Sequence, residues 1–134
     1  MRSVGRAGRV IRLPFPPSMN TYLRHLPNGR TLLSEKGRAY HSTVWEVVKR
    51  TRPGVSPLLG PLVVTLTAFP PDKRRRDLDN LPKVVLDSLT KAGVWRDDSQ
   101  IQRLTIQWGA FWPGGAMEVE IEEIEAVARR GAGK

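Results

Sequence analysis

Cysteine is absent from the chain, so disulfides and thiolate metal centres are both excluded. Histidine is nearly absent. His25 and His41 are the only two, and they are not spaced as a metal pair. His41 falls in the middle of an expected helix, where packing or exposure is a better account of it than catalysis. Several serines exist, but without a suitably placed histidine they do not make a hydrolase triad. No glycine-rich phosphate loop is present, which argues against ATP use. No apolar run approaches the roughly 18–20 residues needed to cross a bilayer. The N-terminus carries Arg2, Arg6 and Arg9 but no apolar stretch and no small-residue cleavage site. It does not read as a signal peptide, and a cytoplasmic protein is expected.

What the chain has in excess is positive charge. Its 134 residues suit one domain with one hydrophobic core. Within them 22 Lys and Arg stand against 13 Asp and Glu, a formal net charge of +9. Such a balance favours a polyanionic partner, because Lys and Arg contacts to phosphates release condensed counterions. Solubility alone is the competing reading. Part of the excess sits at the ends, in Arg2, Arg6, Arg9, Arg129, Arg130 and Lys134, where any tail would carry it. The internal run Lys73-Arg74-Arg75-Arg76 is harder to dismiss.

Residues 1–8 form a basic arm, residues 9–126 the domain, and residues 127–134 a basic tail. Val10 to Leu13 suggest a short strand, closed by the stiff loop Pro14-Phe15-Pro16-Pro17-Ser18-Met19-Asn20. Asn28-Gly29 signals a tight turn, with Thr31 to Leu33 on the return segment. Ser34 is placed to cap a helix running to about Arg50, with Tyr40, Val44, Val47 and Val48 on one face. Leu62 to Phe69 is a β-branched run and reads as a buried strand.

A second helix is expected from about Leu78 to Ala92, with Leu78, Leu81, Val85, Leu89 and Ala92 as its core stripe. Gly93 would close it, and Pro82 falls inside its first turn. Two further strands are expected near Ile101–Trp108 and Met117–Ile124. Pro113-Gly114-Gly115 would link them as a hairpin, and Trp108 is assigned to the core. There are no repeats. The order implies an α/β or α+β fold, a mixed sheet with two main helices packed on it. Whether they cover one face or both is left open.

The notable stretch is Arg74-Arg75-Arg76-Asp77-Leu78-Asp79-Asn80, followed by Lys83 and then Asp97-Asp98. A strongly basic chain here sets carboxylates directly after its most basic run. Two readings compete. In the first, Asp77 is a helix N-cap, Asp79 a first-turn acid, and Asp79 and Lys83 an ordinary i,i+4 ion pair. In the second, the carboxylates supply the hard oxygen ligands that Mg²⁺ requires, beside waters and substrate phosphate oxygens. Lys83 would then neutralise charge on a pentacovalent phosphate, and the arginines would hold flanking phosphates without reading bases.

The segments Arg-Arg-Asp-Leu-Asp-Asn, Lys83, Leu86-Asp87-Ser88-Leu89 and Asp97-Asp98-Ser99-Gln100 together resemble the RusA family of Holliday junction resolvases. Leu13-Pro14-Phe15-Pro16-Pro17-Ser18-Met19-Asn20 and Ser34-Glu35-Lys36-Gly37-Arg38-Ala39-Tyr40 are similar to that family's opening motifs. The resemblance spans about Arg9 to Glu123. It implies a small homodimeric endonuclease, using Mg²⁺ or alternatively Mn²⁺, that resolves four-way DNA junctions by paired symmetric nicks in recombination and repair. Carried over residue by residue, it places the essential acids and metal ligands on Asp77, Asp79 and Asp98 and the essential lysine on Lys83. Asp97 is expected to be structural. Lys73, Arg74, Arg75 and Arg76 are the expected DNA-binding residues. An endonuclease of broader branched DNA (flaps and forks) and a non-catalytic basic DNA-binding module are the alternatives.

Overall fold

The computed structural model describes residues 9–125. The basic arm over residues 1–8 and the tail over residues 127–134 lie outside the described residues. Strand β1 (Arg9–Leu13) leads through the proline loop to a single helical turn, α1 (Met19–Tyr22). Met19 and Asn20, expected in the loop, thus begin a helix, with the backbone carbonyl of Ser18 accepting from Thr21 and Tyr22 N–H at 3.0 and 2.8 Å. Strands β2 (Leu23–His25) and β3 (Thr31–Leu33) form the expected hairpin, with Gly29 at φ +86° in its turn. The helix α2 (Glu35–Thr51) starts where Ser34 places it, the Ser34 hydroxyl accepting from the Gly37 N–H at 3.0 Å.

The main sheet comprises β4 (Leu62–Phe69), β5 (Ile101–Trp108) and β6 (Ala116–Glu123) with β1, in the order β1-β6-β4-β5. Strand β5 runs parallel to β4, and β6 runs antiparallel to both β4 and β1. The sheet is therefore mixed, as expected. The expected β5–β6 hairpin is not formed. The two strands flank β4 on opposite sides, and residues 109–115 cross over its end, where Gly109 N–H donates to Ala68 O at 2.8 Å and Trp112 N–H to Pro70 O at 3.0 Å. A side chain at Gly109 would bring its Cβ within 2.5 Å of the Phe69 ring, so this crossing requires glycine.

Helix α3 (Pro82–Lys91) is the crossover that the parallel pair β4–β5 needs. It begins four residues later than expected. The Pro82 ring would clash with the carbonyl of Leu78 in a continuous helix, and proline is best tolerated at the first helical position. The chain instead makes a separate 3-10 turn over Leu78–Asn80 and restarts at Pro82. A second 3-10 turn, Asp98–Gln100, leads into β5.

Burial along β4 settles which face the helices cover. Leu62, Val64, Leu66 and Ala68 are fully buried, while Val63, Thr65, Thr67 and Phe69 between them are half-buried. Helices α2 and α3 pack on each other, and Tyr40, Val44, Val84, Val85 and Leu89 join Ile11, Leu66, Val119 and Ile121 in one core. Both helices therefore lie on one face. Each fully buried aliphatic side chain there contributes roughly 1.5–3 kcal/mol relative to exposure. Trp108, expected in the core, is 41% exposed, because β5 is the sheet edge. Trp95 is the buried tryptophan, its Nε1 donating to Thr90 Oγ1 at 2.7 Å.

Candidate active site and nucleic-acid cleft

The segment between β4 and α3 carries most of the chemistry. Pro70-Pro71 ends the strand, and Asp72 then organises the basic run. Its carboxylate accepts from the Arg74 N–H at 2.9 Å and pairs with the Arg76 guanidinium at 2.9 Å. These contacts, that with Arg76 foremost, hold the Asp72 carboxyl down to about 2. Arg76 also lies over the Phe15 ring, 5.4 Å from its centroid, and its side chain is mostly buried. It is a fixed cation, whereas Lys73, Arg74 and Arg75 are exposed.

Arg74, Arg75 and Arg76 line a cleft of about 700 Å³ with Lys36, Asp77 and Asn80, and the proline loop from Phe15 to Ser18 forms the facing wall. Lys73 is not among its lining residues. Phosphate oxygens suit such a wall, being acceptors where the protein offers donors.

Asp77 also lines this cleft, and Asp79 follows on the exposed side of the first 3-10 turn. Neither does what the structural reading of the sequence requires. Asp77 makes no side-chain capping hydrogen bond. Asp79 does not pair with Lys83, whose Nζ instead lies 3.3 Å from Asp87. Lys83, Asp97 and Asp98 line a second cleft of about 620 Å³, with Tyr22, His41, Asp87 and Lys91. The neighbouring acids differ. Asp97 caps the second 3-10 turn by accepting from the Ser99 N–H at 3.0 Å, which keeps its carboxyl below the usual range. Asp98 has no such duty.

Three carboxylates, Asp77, Asp79 and Asp98, are thus exposed on a basic protein and make no hydrogen bond or ion pair among the described residues. The other aspartates, Asp72, Asp87 and Asp97, are all engaged. The three free acids are not gathered into a cage. Asp77 and Asp98 open into different clefts, and no group of three or more His, Asp or Glu side chains among the described residues is placed to hold a metal ion. As donors they suit a hard divalent cation, though one that keeps water and phosphate oxygens in its shell rather than sitting wholly in protein ligands.

Sequence reasoning missed the chain of contacts behind Lys83. Tyr22, nearly fully buried, donates its hydroxyl to Asp87 Oδ2 at 3.0 Å and lies 2.9 Å from His41 Nε2. The i,i+4 spacing of Lys83 and Asp87 is visible in the sequence, but nothing there shows that Tyr22 meets them.

Comparison with known proteins matches residues 14–122 to the family model described as endodeoxyribonuclease RusA. Proteins named crossover junction endodeoxyribonuclease RusA from Shigella sonnei and from Escherichia coli K12 are each 41% identical to this chain over 114 residues, which is 85% of this chain and 93% of theirs. The protein of that name from Enterobacteria phage 82 is similar to the same extent.

Proposed function

The chain belongs to the RusA endodeoxyribonuclease family, and on that footing we propose that it is a divalent-metal-dependent endonuclease that resolves four-way DNA junctions. The observation that carries the reading is that the Asp77, Asp79 and Asp98 carboxylates are unengaged among the described residues, Asp77 on the cleft walled by arginines and Asp98 on the cleft that Lys83 lines. Asp72, Asp87 and Asp97 are engaged by a cation, a phenol or a backbone N–H, and the three aspartates left without such a partner among the described residues are consistent with an external cation as theirs.

In this reading Asp77, Asp79 and Asp98 are the residues that would supply oxygen ligands to Mg²⁺, or to Mn²⁺ in its place, a cation that keeps water and phosphate oxygens around it. The chemistry a divalent ion would supply there is polarisation of the scissile phosphate and a lowered pKa for a bound water. The protein supplies the rest. Arg74, Arg75 and Arg76 grip flanking phosphates without base readout, and Lys73 adds field at the rim. Lys83 presents its ammonium to the charge that develops on phosphorus. Arg76, fixed by Asp72 and Phe15, sets the register of the strand.

Paired symmetric nicks require two sites related by a two-fold axis, which a homodimer supplies. Among the described residues β5 is an outer strand of the sheet, and Leu104 and Trp108, exposed on it, offer a surface that fits a second copy. No helix among the described residues is long and apolar enough to cross a membrane; an enzyme with a DNA junction as its substrate would act where that DNA lies, which in this reading is the cytoplasm.

The test is cleavage of labelled four-way, Y-shaped and linear DNA with Mg²⁺ or with EDTA. Paired nicks in the four-way junction alone, abolished by EDTA, support the proposal. Equal cutting of Y-shaped DNA would broaden the substrate, and cutting in EDTA would refute the metal mechanism.

A further inference from the structure

We propose that Asp87, braced by Tyr22 and His41, is a positioning group for Lys83. The inference rests on the role given to Lys83 above and adds to it a reason for that side chain to be preorganised. Four residues from three helices form a continuous polar chain. His41 Nε2 lies 2.9 Å from the Tyr22 hydroxyl, that hydroxyl donates to Asp87 Oδ2 at 3.0 Å, and Asp87 lies 3.3 Å from Lys83 Nζ. Their order is fixed by proton count. Burial, followed by the Asp87 carboxylate, raises the Tyr22 phenol well above its usual range, so the phenol keeps its single proton. That proton goes to Asp87. His41 must therefore donate from Nε2 to the phenol oxygen, and its burial favours the neutral imidazole that does so.

The competing account is an ordinary helix-surface ion pair. Lysine four residues before an acid is the less favourable order for such a pair, and it would not call for a buried phenol from α1, itself bonded to a histidine from α2, to orient the acid. A lysine on its own is a flexible four-carbon stem, and ordering it against a phosphate costs entropy at the moment of reaction. The Asp87 carboxylate engages Nζ through one contact region and leaves further N–H donors of the ammonium for the substrate. The lysine is held on the wall of the cleft that Asp98 also lines.

The experiment compares Asp87→Asn, Tyr22→Phe and Lys83→Ala, measuring single-turnover cleavage of a four-way junction, junction Kd and melting temperature. Both conservative variants keep shape, Phe retaining the packed ring and Asn the acceptor for Tyr22. Asp87→Asn should lower the single-turnover rate on the order of 10- to 100-fold, as expected of a misplaced catalytic group, and Tyr22→Phe by a smaller factor. Kd should stay within about 2-fold, and melting should fall by no more than the few degrees that loss of one hydrogen bond costs, too little to unfold the protein at the assay temperature. Asp87→Glu should recover part of the lost rate. If Lys83→Ala abolishes cleavage while Asp87→Asn and Tyr22→Phe cut at the unmodified rate, the positioning role is wrong and that of Lys83 stands. Rate losses that track losses in Kd or melting also overturn it. If Lys83→Ala itself cuts normally, the role of Lys83 fails, and the positioning proposal with it.

Discussion

Asp97 and Asp98 are adjacent in the chain and opposite in what they do. The Asp97 carboxylate accepts from the Ser99 N–H at 3.0 Å and its own N–H is bound by Gln100 Oε1 at 2.9 Å, while the Asp98 carboxylate makes no hydrogen bond or ion pair among the described residues. Gln100 in turn donates to the carbonyls of Leu58 and Gly60 at 2.9 Å each, so the cap is anchored to the segment before β4. Substitution should separate the two. Asp97→Ala removes the cap and should lower the melting temperature by a few degrees, with metal-dependent cleavage reduced but measurable. Asp98→Asn should leave melting and junction binding unchanged and eliminate cleavage. Thermal melts beside a single-turnover assay decide it, and an Asp98→Asn protein that still cuts would remove this residue from the proposed metal site.

The arginines divide in a comparable way. Arg76 is fixed by Asp72 and Phe15, whereas Lys73 is exposed and lines no part of the cleft. Arg76→Ala should weaken binding to four-way junctions of any sequence and reduce the slope of log affinity against log salt by about 1. Lys73→Ala should change both much less. Titrations at several salt concentrations test this, and equal effects from the two substitutions would show that only net charge matters.

Acidification should destabilise the fold through His41. Burial first, then Lys91, lowers its pKa below the usual 6.5, with Asp87 acting against them. A group whose folded pKa is depressed below its unfolded value binds fewer protons when folded, so its contribution is complete above about 6.5 and is lost as pH falls toward the folded value. Melting temperature should therefore decline from about pH 6.5 downward, and His41→Gln, which retains an N–H donor for Tyr22, should flatten that decline. Identical pH profiles for the two proteins would mean that His41 does not carry the effect.

Much of this architecture was legible from local chemistry. Ser34 as a cap, Asn28-Gly29 as a turn, the β4 run and Gly93 as a helix end all fall where side-chain and backbone preferences place them. What failed required knowledge of neighbours. Pro113-Gly114-Gly115 reads as a hairpin because turn residues record that the chain reverses, not which strand it returns to, and β6 returns to the far side of β4. Trp108 sits in a strand pattern that does not reveal an edge. Pro82 did carry the signal that α3 could not start at Leu78, through its clash with that carbonyl. At the site, the spacing of Asp77, Asp79 and Lys83 pointed to a functional segment, yet the partner of Lys83 proved to be Asp87. The Tyr22 and His41 contacts join residues 19 positions apart from each other, and Tyr22 to Asp87 joins residues 65 apart. No local pattern encodes such pairings.

The edge of the sheet yields the last prediction. The parallel register sets Leu104 opposite Val64 and Trp108 opposite Ala68, so both point to the helix-covered face, yet each is 41% exposed, β5 being an outer strand of the sheet among the described residues. An outer strand with exposed apolar side chains is a ready template for another chain. If that chain is a second copy, Leu104→Lys should shift the protein from dimer to monomer in sedimentation at micromolar concentration. The substitution buries nothing new and removes no core contact of weight, so melting measured at matched subunit concentration should fall only by what dimerisation had contributed. On a four-way junction the monomer should give single nicks in place of paired ones, since the second cut depends on a partner held across the two-fold axis. A Leu104→Lys protein that still sediments as a dimer would move the interface elsewhere, and an unmodified protein that is monomeric both free and on the junction would end the two-fold account of resolution.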